Sequence, residues 1–232
     1  MLAIDQTEVT DVLNLGHSVL SRVGCVKISS HLVQRMPPGR AFDFVRNHRT
    51  RSIFYDARFV DDRAENLAAD IRLVSGDERA TSRYTPPALV SVHHAVGFRG
   101  VQRAVEAAEG KLEIVVFLSS SNWDPGEYHN MYGFGPDDLV ARYARIAAEA
   151  GARSIMCAAI DAPVIKDHPD TRHLNVYGTG VRMEGDAVGE HKRIITPEAA
   201  LANGVTHVVI GGPIVRATNP ESALSRYGAI IG

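Results

Sequence analysis

The chain has 232 residues, 45% of them hydrophobic and 22% charged, with a formal net charge of −2. This balance points to one globular domain with a sizeable core and excludes a disordered or fibrous chain. There is no basic field and no apolar run near the ~18 residues of a membrane span, so neither a nucleic acid nor a bilayer is an expected partner. Asp5 closes the apolar opening Leu2-Ala3-Ile4, which argues against a secretory leader. The two cysteines, Cys25 and Cys157, both lie in apolar runs. A disulfide framework is therefore not expected, and the reading is cytoplasmic.

Short apolar runs rich in β-branched residues recur along the chain. They are Leu2-Ala3-Ile4, Cys25-Val26-Lys27-Ile28, Ser52-Ile53-Phe54-Tyr55, Leu89-Val90-Ser91-Val92, Glu113-Ile114-Val115-Val116-Phe117-Leu118, Ser154-Ile155-Met156-Cys157, Leu174-Asn175-Val176-Tyr177 and His207-Val208-Val209-Ile210. Runs this short with little alternation predict strands buried on both faces. Amphipathic stretches of helical length separate them. In 135–151, Leu139, Val140, Tyr143, Ile146 and Ala147 fall on one face, with Pro136 at the start and Gly151 past the end. The stretches 101–108 and 198–204 follow the same pattern. Eight strand–helix units predict an α/β fold, most economically a (β/α)8 TIM barrel as a single domain over 1–232, with a doubly wound open sheet as the structural alternative. A barrel carries its chemistry where strands end at the C-terminal face.

Two connections are long. The segment 119–134 is polar, bears glycine and holds Trp123, the only tryptophan. It reads either as a lid or as a surface excursion with Trp123 tucked against a helix. The turn-rich segment 79–87 carries no evident chemistry.

The densest charge lies at the end of the third run, Asp56-Ala57-Arg58-Phe59-Val60-Asp61-Asp62. Charges at the mouth of a buried strand are costly unless paired or used. Asp56 and Arg58, two apart, share a face for as long as the strand persists. Asp5 and Lys27 close the neighbouring strands, giving an alternating cluster of Asp5, Lys27, Asp56, Arg58 and Asp61. A salt-bridge network that merely closes the barrel is the bland alternative. Of His93 and His94, alternation sends only one inward, and a satisfied structural histidine is the simpler reading. His191 and its neighbours Lys192 and Arg193 fit a closing loop or a solvated face equally well.

These residues also carry a family resemblance. Asp56-x-Arg58-x-x-Asp61 resembles the Asp-x-Lys-x-x-Asp motif of the orotidine 5′-phosphate decarboxylases. The stretch from Gly180-Val181-Arg182 through Gly185, Gly189, Arg193 and Thr196-Pro197 is similar to that family's G-I-R-x-x-G-x-x-x-G-D-Q-x-R-x-x-T-P. Val209-Ile210-Gly211-Gly212-Pro213-Ile214 and Ala217-x-Asn219-Pro220 resemble its closing V-I-G-R-P-I and A-x-D-P. The resemblance implies a barrel lyase that loses CO2 without a metal or organic cofactor, by fixed charges placed where charge develops. It implies Asp56 beside the leaving group, Asp5 and Lys27 beside sugar hydroxyls, and one of Ser119, Ser120 and Ser121 on a pyrimidine ring. It also implies a homodimer in which Asp61 is supplied in trans.

Four positions depart from the family. Its proton-donating lysine is Arg58, which holds charge but gives up a proton poorly. Its phosphate-holding glutamine is Glu184, and its phosphate-clamping arginine is Gly212, after Gly211. The threonine of its D-I-P-N-T is Glu65. The expectation is a substrate lacking the 5′-phosphate, bound near Glu65, Glu184, Gly211 and Gly212, because losing a bidentate arginine and gaining acids both oppose a dianion. The alternatives are ordinary orotidine 5′-phosphate decarboxylation at reduced rate, a magnesium-dependent hexulose-phosphate synthase-like aldolase, or a silent ligand-binding homologue. Lys27, standing where the magnesium branch has a glutamate, opposes the aldolase, whereas Gly211-Gly212 resembles the synthase ending.

Overall fold

The computed structural model describes residues 1–5, 15–35, 38–47, 50–76 and 86–232. The eight apolar runs form eight strands: β1 (Leu2–Ile4), β2 (Cys25–Ser29), β3 (Ser52–Phe59), β4 (Leu89–His93), β5 (Glu113–Phe117), β6 (Ser154–Ala158), β7 (Asn175–Thr179) and β8 (His207–Val208). Each pairs in parallel with the next in chain order. The sheet closes on itself through a parallel bridge from Leu2 to Ile210, where Ala3 N–H donates to the Ile210 carbonyl at 2.7 Å. Gly211 follows directly, and a Cβ there would lie 3.0 Å from the Ala3 carbonyl, so this closure favours glycine. The fold is the (β/α)8 barrel expected, not the open sheet.

Side chains alternate between two apolar layers. Phe54, Leu89, Val115, Phe117, Met156 and Tyr177 fill the barrel interior, while Ile53, Val90, Val116, Ile155 and Val176 pack outward against the helices. Among those helices, Gly97–Ala108, Pro136–Glu149 and Pro197–Ala202 correspond to the three amphipathic stretches. The segment 119–134 holds a helix of its own, Pro125–Tyr132, started by a capping box between Asp124 and Glu127. Trp123 packs edge-on to Tyr128 at 5.4 Å and borders the core. Of the connection 79–87, residues 79–85 lie outside those described.

One strand departs from simple alternation. β3 runs four residues beyond its apolar stretch, and its register on β4 shifts between Tyr55 and Phe59. Within that bulge Arg58 takes φ 48, the left-handed region that costs a side-chain-bearing residue about 1–2 kcal/mol. Arg58 therefore does not simply continue the face of Asp56, as an unbroken strand would require.

Candidate active site

The site sits one layer above the apolar interior. β1 and β3 carry Ala3 and Phe54 inward, so alternation places Asp5 and Asp56 on the same face at the barrel mouth. Lys27 is in register with Ala3 and Phe54 and reaches up between the two acids. Its ammonium donates to Asp5 Oδ1 at 2.6 Å and to Asp56 Oδ2 at 2.9 Å. Asp56 Oδ1 accepts from Ser91 Oγ at 2.7 Å, and Ser91 Oγ in turn accepts the Arg58 backbone N–H at 2.8 Å. The Arg58 guanidinium stands 3.4 Å from both Asp56 oxygens and lies over the Phe117 ring, 4.1 Å from its centroid. This is a cation–π contact that fixes its plane.

These contacts decide the charge states. Burial alone would raise the Asp56 carboxyl, but the charges of Lys27 and Arg58, with the hydrogen bonds of Lys27 and Ser91, hold it well below the usual carboxylate range. Burial likewise opposes charge on Lys27, and the two acids outweigh it, so its ammonium is held more firmly than in water. The Asp56 side chain is 2% exposed and that of Asp5 56%, so the cluster opens to solvent on the Asp5 side.

The remaining predicted residues divide. Asp61 is not brought to this cluster within its own chain: its Oδ1 accepts from Arg63 N–H at 2.7 Å and its Oδ2 from Asn66 at 3.1 Å. Glu65 forks onto Arg103 with two contacts of 2.9 Å between the helices Ala64–Val74 and Gly97–Ala108, on the outer layer. The three serines act as braces. Ser119 Oγ donates to buried Asp161, which pairs with Arg193. Ser120 exchanges hydrogen bonds with the Tyr128 hydroxyl. Ser121 Oγ meets His191 Nδ1 at 2.6 Å, and its carbonyl accepts the Lys192 and Arg193 N–H groups. Gly180 is required at this junction, since a Cβ would fall 2.5 Å from the Arg193 carbonyl. The ion pairs of Lys192 with Asp124 and Glu127 tie the segment after β7 to that after β5.

A pocket of about 400 Å³ is lined by residues that include Arg182, Asp186, Gly212, Arg216, Asn219 and Arg226. Arg182 is anchored by the carbonyls of Val181 and Ala187, and Arg226 stands 3.8 Å from Asp186. Arg216 makes no ion pair among the described residues. Burial lowers the Arg182 pKa, opposed by Tyr227 and Asp186, with the charge of Arg216 a smaller contribution in the same direction as burial. Asn219 caps the helix Pro220–Ile231, so that helix begins at the pocket wall. Glu184 is exposed and outside this lining, and a Cβ at Gly212 would meet nothing within 4 Å. Burial lowers the His191 pKa, Arg182 lowers it further, and Asp5 and Glu190 oppose them.

Sequence reasoning passed over Ser91, Phe117, Arg216 and Arg226. Alternation along β4 and β5 could have found the first two. Arg216 follows Gly212 by four residues, one helical turn.

The comparisons agree with this architecture. The family model described as "Orotidine 5′-phosphate decarboxylase / HUMPS family" matches residues 1–227. The chain belongs to that family. It is 34% identical over 232 residues to an orotidine 5′-phosphate decarboxylase of Thermobifida fusca, covering 98% of this chain and 93% of that protein. It is 28% identical over 242 residues to one of Vibrio cholerae, covering 99% and 96%. Solved orotidine 5′-phosphate decarboxylases of Lactobacillus acidophilus (TM-score 0.76, 15% identity, covering 100% of this chain and 97% of that one) and Pyrococcus horikoshii (0.73, 18%, covering 100% and 99%) share the fold. At the cluster, Lys27 occupies the space between the two acids.

Proposed function

We propose that this chain is a decarboxylating carbon–carbon lyase acting on a pyrimidine acid with an anionic tail, of the orotidine 5′-phosphate type. The observation that carries the reading is the buried Asp56 carboxylate, kept ionised by Lys27, Arg58 and Ser91 at the mouth of the barrel. A substrate carboxylate set against it is repelled, and that repulsion is relieved when CO2 leaves. Lys27 and Arg58 are the fixed positive charges on which the developing carbanion is stabilised. The positive charge comes from the chain's own side chains.

The anionic tail is supported by the arginine pocket. The substitutions at Gly212 and Glu184 favour a second reading, a ligand without phosphate. Three guanidinium groups against one lining carboxylate, Asp186, beside the N-terminus of Pro220–Ile231 leave a positive balance that favours a negative charge, and Arg216 stands one turn from the missing arginine. As in the resemblance, the chain acts as a homodimer with Asp61 entering the partner's site, and one domain carries the activity.

CO2 release from orotidine 5′-monophosphate by the purified protein, and its loss in Asp56→Asn, tests the lyase reading. Release that survives Asp56→Asn, or no release by the unaltered protein, would overturn it, the latter in favour of a silent ligand-binding homologue.

A further inference from the structure

His93 holds a hydrogen-bond donor that neither the fold nor the cluster uses. On β4, Leu89 belongs to the barrel interior and Ser91 reaches Asp56, so alternation carries His93 to the same inner face, one layer nearer the mouth. His94 opens the short helical turn after β4, its ring 4.3 Å from that of His93 and packed on Tyr143 at 4.4 Å. The His93 ring lies 5.5 Å from the Phe117 ring, the same ring that carries the Arg58 guanidinium. His93 and Arg58 thus border one aromatic surface beside Asp56.

The tautomer is fixed by the backbone. The Ala95 N–H donates to His93 Nδ1 at 3.2 Å, capping the short helical turn His94–Val96. An Nδ1 that accepts leaves the ring proton of the neutral imidazole on Nε2. That Nε2 makes no hydrogen bond among the described residues, and the residue is half-buried. The groups facing the ring are Arg58 from β3, uncharged Phe117 from β5 and His94 from the helical turn that follows β4. Burial and then Arg58 lower the His93 pKa, so the neutral form prevails at pH 7.

We propose that His93 is a ligand-binding residue whose Nε2–H donates to a carbonyl oxygen of the planar ring held at the barrel mouth. It selects rings that offer an acceptor at that point over rings that offer an amino group. The role is that of a neutral imidazole polarising a carbonyl, and it transfers no proton. The inference rests on the pyrimidine reading above, and its test uses binding, so that it does not depend on turnover.

The test is a titration of the unaltered, ¹⁵N-histidine-labelled protein with uridine 5′-monophosphate, following the His93 ring nitrogens, assigned by their absence in His93→Gln. The expected result is an Nε2–H tautomer that persists on binding, with its proton resonance moving downfield. His93→Phe should weaken uridine 5′-monophosphate about 10-fold, as for one hydrogen bond, while His93→Gln, which keeps an N–H donor, weakens it less. Cytidine 5′-monophosphate, with an amino group on the ring, should bind the unaltered protein more weakly and lose less in His93→Phe. Binding of the uridine nucleotide with an unmoved His93 resonance, or an Nδ1–H tautomer, overturns the inference alone. Failure of that nucleotide to bind overturns the pyrimidine reading and this inference with it.

Discussion

The Lys27 ammonium lies 2.9 Å from the Asp56 carboxylate, and both side chains are less than 5% exposed. Such a pair is held by geometry, because each charge is costly without the other. Lys27→Met should therefore destabilise the barrel by about 3 kcal/mol, since it leaves buried Asp56 with only Ser91 and the longer Arg58 contact. Urea unfolding checks this. A loss below about 1 kcal/mol would mean that Asp56 is more solvated than its contacts imply.

Arg58 holds positive charge where the family has a proton donor, and its guanidinium rests on Phe117 at 4.1 Å. Arg58→Lys should raise the rate of CO2 release by roughly 100-fold, the order that a positioned general acid contributes. Single-turnover kinetics separate this step from product release. An unchanged chemical step would show that protonation does not limit the reaction.

Among the described residues, Asp61 hydrogen-bonds Arg63 just after it and Asn66 in the first turn of the helix Ala64–Val74. If it serves the partner's site, Asp56→Asn and Asp61→Asn are each inactive alone. Mixing the two preparations under subunit exchange then restores activity, because some heterodimers contain one intact site. Activity that stays absent after verified exchange would place Asp61 outside the chemistry.

His94 predicts a pH dependence of stability. Burial and neighbouring His93 depress its pKa from 6.5 to about 4, and its Nδ1–H donates to the Phe117 carbonyl. The unfolded chain therefore binds a proton that the folded one refuses. The stabilising contribution is complete above pH 6.5 and is lost progressively as pH falls toward 4. Thermal melts across that window should show a falling Tm, with a shallower fall in His94→Phe. Parallel pH profiles for the two proteins would refute the assignment.

Much of the barrel was legible because each strand is a short apolar run, and Asp5, Lys27, Asp56 and Arg58 stood where those runs end. The bulge at Arg58 was not legible, because φ 48 arises from how β3 meets β4 rather than from local propensity. Glu65 was misplaced by motif register alone; its fork with Arg103 needs the packing of two helices. The change at Gly212 pointed to an unphosphorylated ligand, since a motif compares single positions. Arg216 and Arg226 come to the same pocket from two different helical segments, and only the fold brings them together.

The central claim is tested most directly by measuring kcat/KM for CO2 release from orotidine 5′-monophosphate and from unphosphorylated orotidine in one preparation. The account predicts that the phosphorylated acid is preferred by about 100-fold or more, and that Arg216→Gln narrows this by about 10-fold, as for a charged hydrogen bond. Equal turnover of the two, or a preference for orotidine, would contradict the arginine pocket as the seat of the anionic tail.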